Sequence, residues 1–450
     1  MDSIDDLFAR APARRFPDDF YFGAATAAHQ VEGGNDASDW WDFEREPGRI
    51  KDDRRSGAAC EHYGRFREDI GLLRALSLNA YRFSVEWARI EPEPGRIDGA
   101  ALAHYADVVD ACLAAGVEPC LTLYHFTLPR WFAARGGWLS SDAPQAFGRF
   151  ARAVAEALAG RVHLWVTINE PIVYLYHGLV VGIWPPGVKS LRAMAVGGRN
   201  LIRGHFEALR EIRRASDRAR GGSRPAITGL ASHLRVFDTA REGSALDRGA
   251  AAVQEAIFNW AFLDSVQRGR LMPPFGVGER VPGALPGQDF LGVNYYTRGR
   301  VRFDVTRPGE LFGAQETTPG APVNDLGWEI YPEGIRRVVR EAHRRYGLPI
   351  YITENGIADA ADRMRAGYIV SHLDQILKAI EEGVPIQGYY HWSLMDNFEW
   401  AEGFTPRFGL YAMDYATQAR SLRPSGALYG RIAAARSLPS EVVARHPIPR

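Results

Sequence analysis

The sequence predicts an α/β fold, a single (β/α)8 TIM barrel with extended βα loops, on three observations. Eight short apolar or β-branched runs recur along the chain, helical patterns lie between most of them, and nearly every run ends in a polar or aromatic residue. The runs fall at 20–25, 79–84, 118–124, 163–168, 226–232, 289–295, 349–353 and 386–393. Between them, 102–114 and 143–158 show the clearest helical periodicity. A doubly wound open sheet is the rival. It would offer a Gly-rich phosphate turn after its first strand, and here that strand runs into Ala27-Ala28-His29-Gln30 instead.

At 450 residues the chain exceeds the roughly 250 of a minimal barrel, so the surplus is assigned to loops. Gly-, Pro- and Arg-rich pieces near 185–200, 215–225, 273–288 and 305–325 read as such loops, each bounded by apolar segments. No linker separates two domains. The expected division is an N-terminal tail over 1–15, the barrel over 16–435 and a C-terminal tail over 436–450.

Composition narrows the function. Hydrophobic residues make up 46%, enough for a large core, and 54 basic residues balance 54 acidic ones, which argues against a nucleic-acid partner. Cys60, Cys112 and Cys120 show no Cys-x-x-Cys spacing and cannot all pair with one another. The acidic start Met1-Asp2-Ser3-Ile4-Asp5-Asp6 lacks a secretory signal, and no apolar stretch is long enough to span a membrane. These features lead to the expectation of a cytoplasmic protein with no membrane partner.

A barrel gathers its functional side chains at the C-terminal ends of its strands. There the chain places His29-Gln30-Val31-Glu32, Arg82, His125, Asn169-Glu170, Ser232-His233, Asn294-Tyr295-Tyr296, Glu354-Asn355 and Trp392. Glu170 and Glu354 stand out. Pro171 pushes Glu170 toward an extended conformation, and Asn355-Gly356 marks a turn after Glu354. Two carboxyls in one pocket cannot both ionise easily, so one stays protonated, which is the pair that glycoside cleavage needs. Metal binding or pairing with arginine is the other use a barrel makes of such glutamates.

These motifs resemble the family 1 glycoside hydrolases, which include many β-glucosidases and β-galactosidases. The resemblance runs from about Phe16 to Pro424. It rests on Phe22-Gly23-Ala24-Ala25-Thr26-Ala27-Ala28-His29-Gln30-Val31-Glu32-Gly33, Tyr81-Arg82-Phe83-Ser84, Thr167-Ile168-Asn169-Glu170-Pro171, Asn294-Tyr295-Tyr296, Ile352-Thr353-Glu354-Asn355-Gly356 and the run from Trp392 to Trp400. It implies a retaining β-glycosidase acting on a small β-glycoside or oligosaccharide without metal or organic cofactor. Glu170 would be acid/base and Glu354 nucleophile. Arg82 and Tyr296 would hold the nucleophile, with Asn294 as a further support, and Asn169 would meet the sugar 2-hydroxyl. Gln30, His125, Glu399 and Trp400 would read the other hydroxyls, with Trp392 as platform.

The retained Glu170 disfavours the thioglucosidase branch, where Gln stands, and an anionic Glu399 would repel a sugar 6-phosphate. The chain departs from many β-glucosidases by reading His125-Phe126-Thr127 where His-Trp-Asp is common. The choice among glucose, galactose, fucose and mannose therefore stays open. Trp184, Phe312, Trp328 and Phe404 are candidates for an aglycone pocket or for packing, and His233 is expected to be structural or to sit at the rim. A transglycosylase and a non-catalytic carbohydrate-binding barrel are the alternative functions.

Overall fold

The computed structural model describes Phe8 and residues 13–219, 224–285 and 287–448. The reading of Met1 to Asp6 therefore lies outside the described residues.

Eight parallel strands close into a barrel in chain order. They are β1 Tyr21–Ala25, β2 Ala80–Ser84, β3 Glu118–Tyr124, β4 Leu164–Asn169, β5 Ile227–His233, β6 Phe290–Asn294, β7 Ile350–Asn355 and β8 Ile386–Trp392. Each of the eight expected runs became one of these strands. The reason is burial: a barrel strand packs its inner face on the barrel interior and its outer face on helices, so its sequence is apolar almost throughout. Every residue of β4 and β7 is buried. The helices Gly99–Ala114 and Ala143–Leu158 cover the outside, the first capped by Asp98, whose Oδ1 accepts from Ala100 N and Ala101 N.

The register levels the strand ends. Glu354 on β7 lies opposite Asn294 on β6, which lies opposite His233 on β5, while Trp392 on β8 lies opposite Ala25 and Ala25 opposite Arg82. The pairing is irregular between Val166 and Asn169 on β4 and between Ile352 and Glu354 on β7, just before the two glutamates. Such irregularities re-aim side chains at strand ends.

Several stretches differ from their expected structure. Much of 185–200 and part of 215–225 are not loop but the 28-residue helix Leu191–Arg218, begun by Ser190, whose hydroxyl accepts from Ala193 N. Gly197 and Gly198 act in it as close-packing residues rather than breakers. A Cβ on Gly198 would come within 2.2 Å of the Phe275 ring, and one on Gly197 within 2.7 Å of Leu179. We expect Gly198→Ala to lower stability by about 1–3 kcal/mol, since overpacking outweighs the better helix propensity of alanine. A thermal melt unchanged or raised in that variant would contradict this packing role.

Part of 305–325 is strand Gly313–Glu316, in a small sheet with Arg298–Phe303 and Val236–Thr239. The expected tails also carry structure. Ala13–Arg15 pairs antiparallel with Ser437–Pro439, and the helix Ser440–Arg445 follows. This pairing joins segments near the start and end of the described residues. Among the described residues, no helix is long and apolar enough to cross a membrane, and Cys60, Cys112 and Cys120 are free and buried.

Candidate active site

Glu170 is the hinge between β4 and the short helix Pro171–Tyr174. The chain must turn within one residue, and Glu170 does so in the left-handed region, φ 43° and ψ 59°, rather than in the extended conformation expected before proline. The left-handed turn also avoids the right-handed helical region that proline disfavours in its predecessor. Its N–H still donates to Ala231 O at 2.8 Å, so the strain is held by the barrel itself. Glu354 is the penultimate residue of β7 and stays in the sheet.

The two carboxyls belong to one hydrogen-bonded array. Arg82, only 1% exposed, donates from Nη1 to Glu354 Oε1 and to Thr353 O, from Nη2 to Asn169 Oδ1 at 2.6 Å, and from Nε to Thr122 Oγ1 at 3.2 Å. Tyr296 donates its hydroxyl to Glu354 Oε2 at 2.7 Å. Asn294 donates from Nδ2 to Glu170 Oε1 at 2.8 Å and to Asn169 Oδ1 at 3.1 Å. The two acids are therefore linked through Asn294, Asn169 and Arg82, and Thr353 orients the Asn294 amide by donating to its Oδ1 at 2.6 Å.

The electrostatics separate the two groups. Burial raises both carboxyl pKa values. For Glu354 the Arg82 guanidinium and the Tyr296 hydroxyl oppose that rise, whereas Glu170 has mainly the neutral Asn294 amide and feels the charges of Glu354 and Glu399. Glu170 thus ends well above the ordinary carboxylate range and Glu354 is the first to lose its proton. Tyr296 is pushed well above the ordinary phenol range by burial and by both glutamates, so it remains a donor.

Around this pair stand the remaining candidates. Asn169 Nδ2 and His125 Nε2 are 3.2 Å apart, and burial with the Arg82 charge keeps His125 neutral. The His125 ring stacks between Trp392, at 5.9 Å and 20°, and Trp400, at 6.1 Å and 18°. Gln30 Nε2 donates to Asn397 Oδ1 at 3.0 Å, Phe398 O at 2.8 Å and Glu399 Oε2 at 3.3 Å. Residues on or just after seven of the strands, β1 to β4 and β6 to β8, and the loop after β8 thus converge on one place. Burial and the Glu354 charge push Glu399 up to about 8. Burial thus works against the anionic Glu399 expected from the sequence, and its protonated form offers hydroxyls both a donor and an acceptor.

Phe126 packs against Trp184 at 4.9 Å and Trp400 at 5.3 Å, so the departure from the common Trp lies directly behind a candidate sugar contact. Thr127 turns away and donates to Glu86 Oε2 at 2.8 Å. Of the four loop aromatics, Trp184 is buried against Trp40, Phe126, His177 and Trp400, and Phe404 is buried against Phe398 and Tyr415. Phe312 is exposed beside Phe303. Only Trp328 is both exposed and against a residue of the array, its ring 5.9 Å from Tyr296.

His233 belongs to the site although no motif marked it. Its Nδ1 is 3.8 Å from Glu170 Oε1 and its ring meets Tyr296 edge-on at 5.7 Å. The available signal was its place at the C-terminal end of the fifth strand. Further out, a cavity of about 540 Å³ is lined by Lys51, Asp52, Asp325, Ala360, Glu402 and Thr405, all from loops on this face of the barrel. Among the described residues no group of three or more His, Cys, Asp or Glu side chains is placed to hold a metal.

This chain is similar to known proteins over nearly its whole length. A family model described as Glycosyl hydrolase family 1 matches residues 13–273 and 284–438. Beta-glucosidase A of Thermotoga maritima is 34% identical over 445 residues, which cover 93% of this chain and 98% of that protein. The structure of a beta-glycosidase from Pyrococcus horikoshii superposes with a TM-score of 0.89 at 38% identity, covering 97% of this chain and 99% of that one. A structure of the Thermotoga maritima beta-glucosidase in complex with glucoimidazole gives 0.88 at 33% identity, covering 94% and 100%.

Proposed function

The chain belongs to glycosyl hydrolase family 1, a family of glycosidases, and from that we propose a retaining β-glycosidase with Glu354 as nucleophile and Glu170 as acid/base. The observation that carries this reading is the asymmetry between the two linked carboxyls. Glu354 is held directly by a cation and a phenol that favour its anion, while Glu170 accepts from a neutral amide, feels neighbouring negative charge and meets the Arg82 cation only at longer range.

In the first step an ionised Glu354 oxygen forms a bond to the anomeric carbon. The bond to the aglycone oxygen breaks, and that oxygen takes its electron pair and the Glu170 proton. The ester so formed removes the Glu354 charge that had helped to raise the Glu170 pKa. Glu170, now a carboxylate, becomes easier to keep ionised and accepts a proton from the incoming water. The water oxygen bonds to the anomeric carbon and Glu354 leaves as carboxylate. This course requires the two carboxyls to stand about 5–5.5 Å apart.

Asn169, oriented by Arg82 and Asn294, presents Nδ2 toward the glycone 2-hydroxyl. Gln30, His125, Glu399 and Trp400 serve the remaining hydroxyls, and the Trp392 face supports the ring. A β-glucoside is the substrate favoured by the named relatives, one of them solved with glucoimidazole. Trp328 is positioned beside Tyr296 to meet the aglycone. Three buried, unbridged thiols support a cytoplasmic setting.

Retention is tested by following an aryl β-glucoside by NMR from the first seconds. We expect the β-anomer of the free sugar to appear before mutarotation. First-formed α-sugar would overturn the assignment of Glu354 as nucleophile. The same assay across glucoside, galactoside, fucoside and mannoside, compared by kcat/KM, fixes the glycone.

A further inference from the structure

His233, 3.8 Å from Glu170, belongs with Arg235 and His177 to a group of side chains that bear on one another and that each hold a buried nitrogen without a hydrogen-bond partner. Arg235 follows β5 by two residues. Its backbone is clamped by Asn259, which accepts from Arg235 N at 3.0 Å and donates to Arg235 O at 2.8 Å. Its guanidinium lies over Phe237, 5.9 Å from the ring centroid, and Nη2 is 3.7 Å from where a Cβ on Gly299 would stand. The buried Nε has no hydrogen-bond partner, and among the described residues no carboxylate offsets the charge; Tyr295 and Tyr176 are the acidic groups that bear on it.

Two imidazoles complete the group. His177 stands in the π-helical turn Leu175–Val181 that follows Glu170, with a buried Nδ1 that has no partner. His233 likewise has an unpartnered Nε2. Burial and the Arg235 charge keep both rings neutral. The carboxylate Glu310 acts on Tyr176 and is itself paired with Arg307 at 3.1 Å. A desolvated cation without a counter-charge is costly, and an anion brought to it recovers that cost through charge-assisted hydrogen bonds.

We propose that Arg235, His177 and His233 form a subsite for an anionic group, a carboxylate or an oxyanion of sulfur or phosphorus, carried by the aglycone. The proposal rests on the glycosidase reading of Glu170, since the acid that protonates the leaving oxygen defines where the aglycone lies. His233, 3.8 Å from that acid, joins the subsite to the reacting bond.

The test compares two aryl β-glycosides of the preferred sugar, with 4-carboxyphenyl and 4-(methoxycarbonyl)phenyl as leaving groups. The ester is the intrinsically better leaving group, so a preference for the carboxylate must come from the protein. We expect kcat/KM to favour the carboxylate about tenfold, a difference of about 1.4 kcal/mol. Arg235→Met should reduce that ratio about tenfold and Arg235→Lys should keep most of it. A ratio favouring the ester in the wild-type enzyme, or one unmoved by Arg235→Met, would overturn the subsite. Should Arg235→Met not fold, binding of 4-hydroxybenzoate and of its methyl ester to the wild-type protein decides. About tenfold tighter binding of the acid supports the proposal and equal binding refutes it. The calorimetric arm needs no turnover. If neither glycoside is cleaved, the glycosidase reading fails separately, and the binding pair still reports on Arg235.

Discussion

Glu354→Gly is expected to lower kcat on an aryl β-glucoside by a factor on the order of 10⁴ or more, because on the proposed mechanism the variant loses the nucleophile. No neighbour can substitute. Glu399 is engaged by Gln30, and Glu170 is engaged by Asn294 and is proposed as the acid rather than the nucleophile. The vacated space opens a second readout. Added azide should restore turnover and yield the α-glycosyl azide, since it attacks from the face that Glu354 occupied while Glu170 still protonates the leaving oxygen.

Removing Glu354 also removes a negative charge beside Glu170, so the Glu170 pKa should fall and the alkaline limb of the azide-rescued rate should move to lower pH. The variant leaves Arg82 with Asn169, Thr122 and the Thr353 carbonyl as partners, but without its counter-charge. Circular dichroism and a melt should therefore accompany the kinetics, because an unpaired buried charge costs about 3–5 kcal/mol when its partner is cut away. Full turnover in a folded variant would remove the nucleophile assignment, and rescue that yields the β-azide would move it to another group.

The barrel was legible because its physics is one-dimensional. Strands buried on both faces, such as Leu164–Asn169 and Ile350–Asn355, show as continuous apolar runs, and their ends are where polar residues must appear. That same rule brought Arg82, Asn169, Glu170, Asn294, Glu354 and Trp392 forward as candidates. What escaped depends on contacts distant in sequence. Gly197-Gly198 reads as a break until Phe275 and Leu179 are seen packed on it. The left-handed turn at Glu170 follows from the need to leave β4 and begin a helix within one residue while Ala231 holds the N–H. Thr127 is a partner of Glu86, forty-one residues earlier. His233 had the right place on its strand, but only the register opposite Asn294 brings it to Glu170. The pressure on Glu399 toward its protonated form was not legible, because the sequence does not show that it and Glu354 are buried together.

Glu170→Gln should separate the two chemical steps by the demands of the leaving group. For an alkyl or unactivated aryl glycoside, kcat/KM should fall by a factor on the order of 10²–10⁴, the usual worth of a positioned general acid. A 2,4-dinitrophenyl glycoside departs without a proton, so its glycosylation step should change little. Water attack still lacks its base, and the glycosyl-enzyme should accumulate, lowering kcat and KM together. The pH dependence gives the sign. In the wild-type enzyme the rate rises as pH climbs through the Glu354 pKa, since only the anion attacks, and falls as pH climbs through the raised Glu170 pKa, since only the protonated acid can donate. Glutamine cannot titrate, so the variant should keep the acid limb and lose the alkaline one. Glu399 also titrates near 8, which makes the comparison discriminating. An alkaline limb that persists in Glu170→Gln with unactivated substrates still turned over would assign the proton to Glu399. A limb that vanishes, with added azide giving β-glycosyl azide from the accumulated intermediate, assigns it to Glu170, whose carboxylate otherwise bars an anion from that face of the sugar.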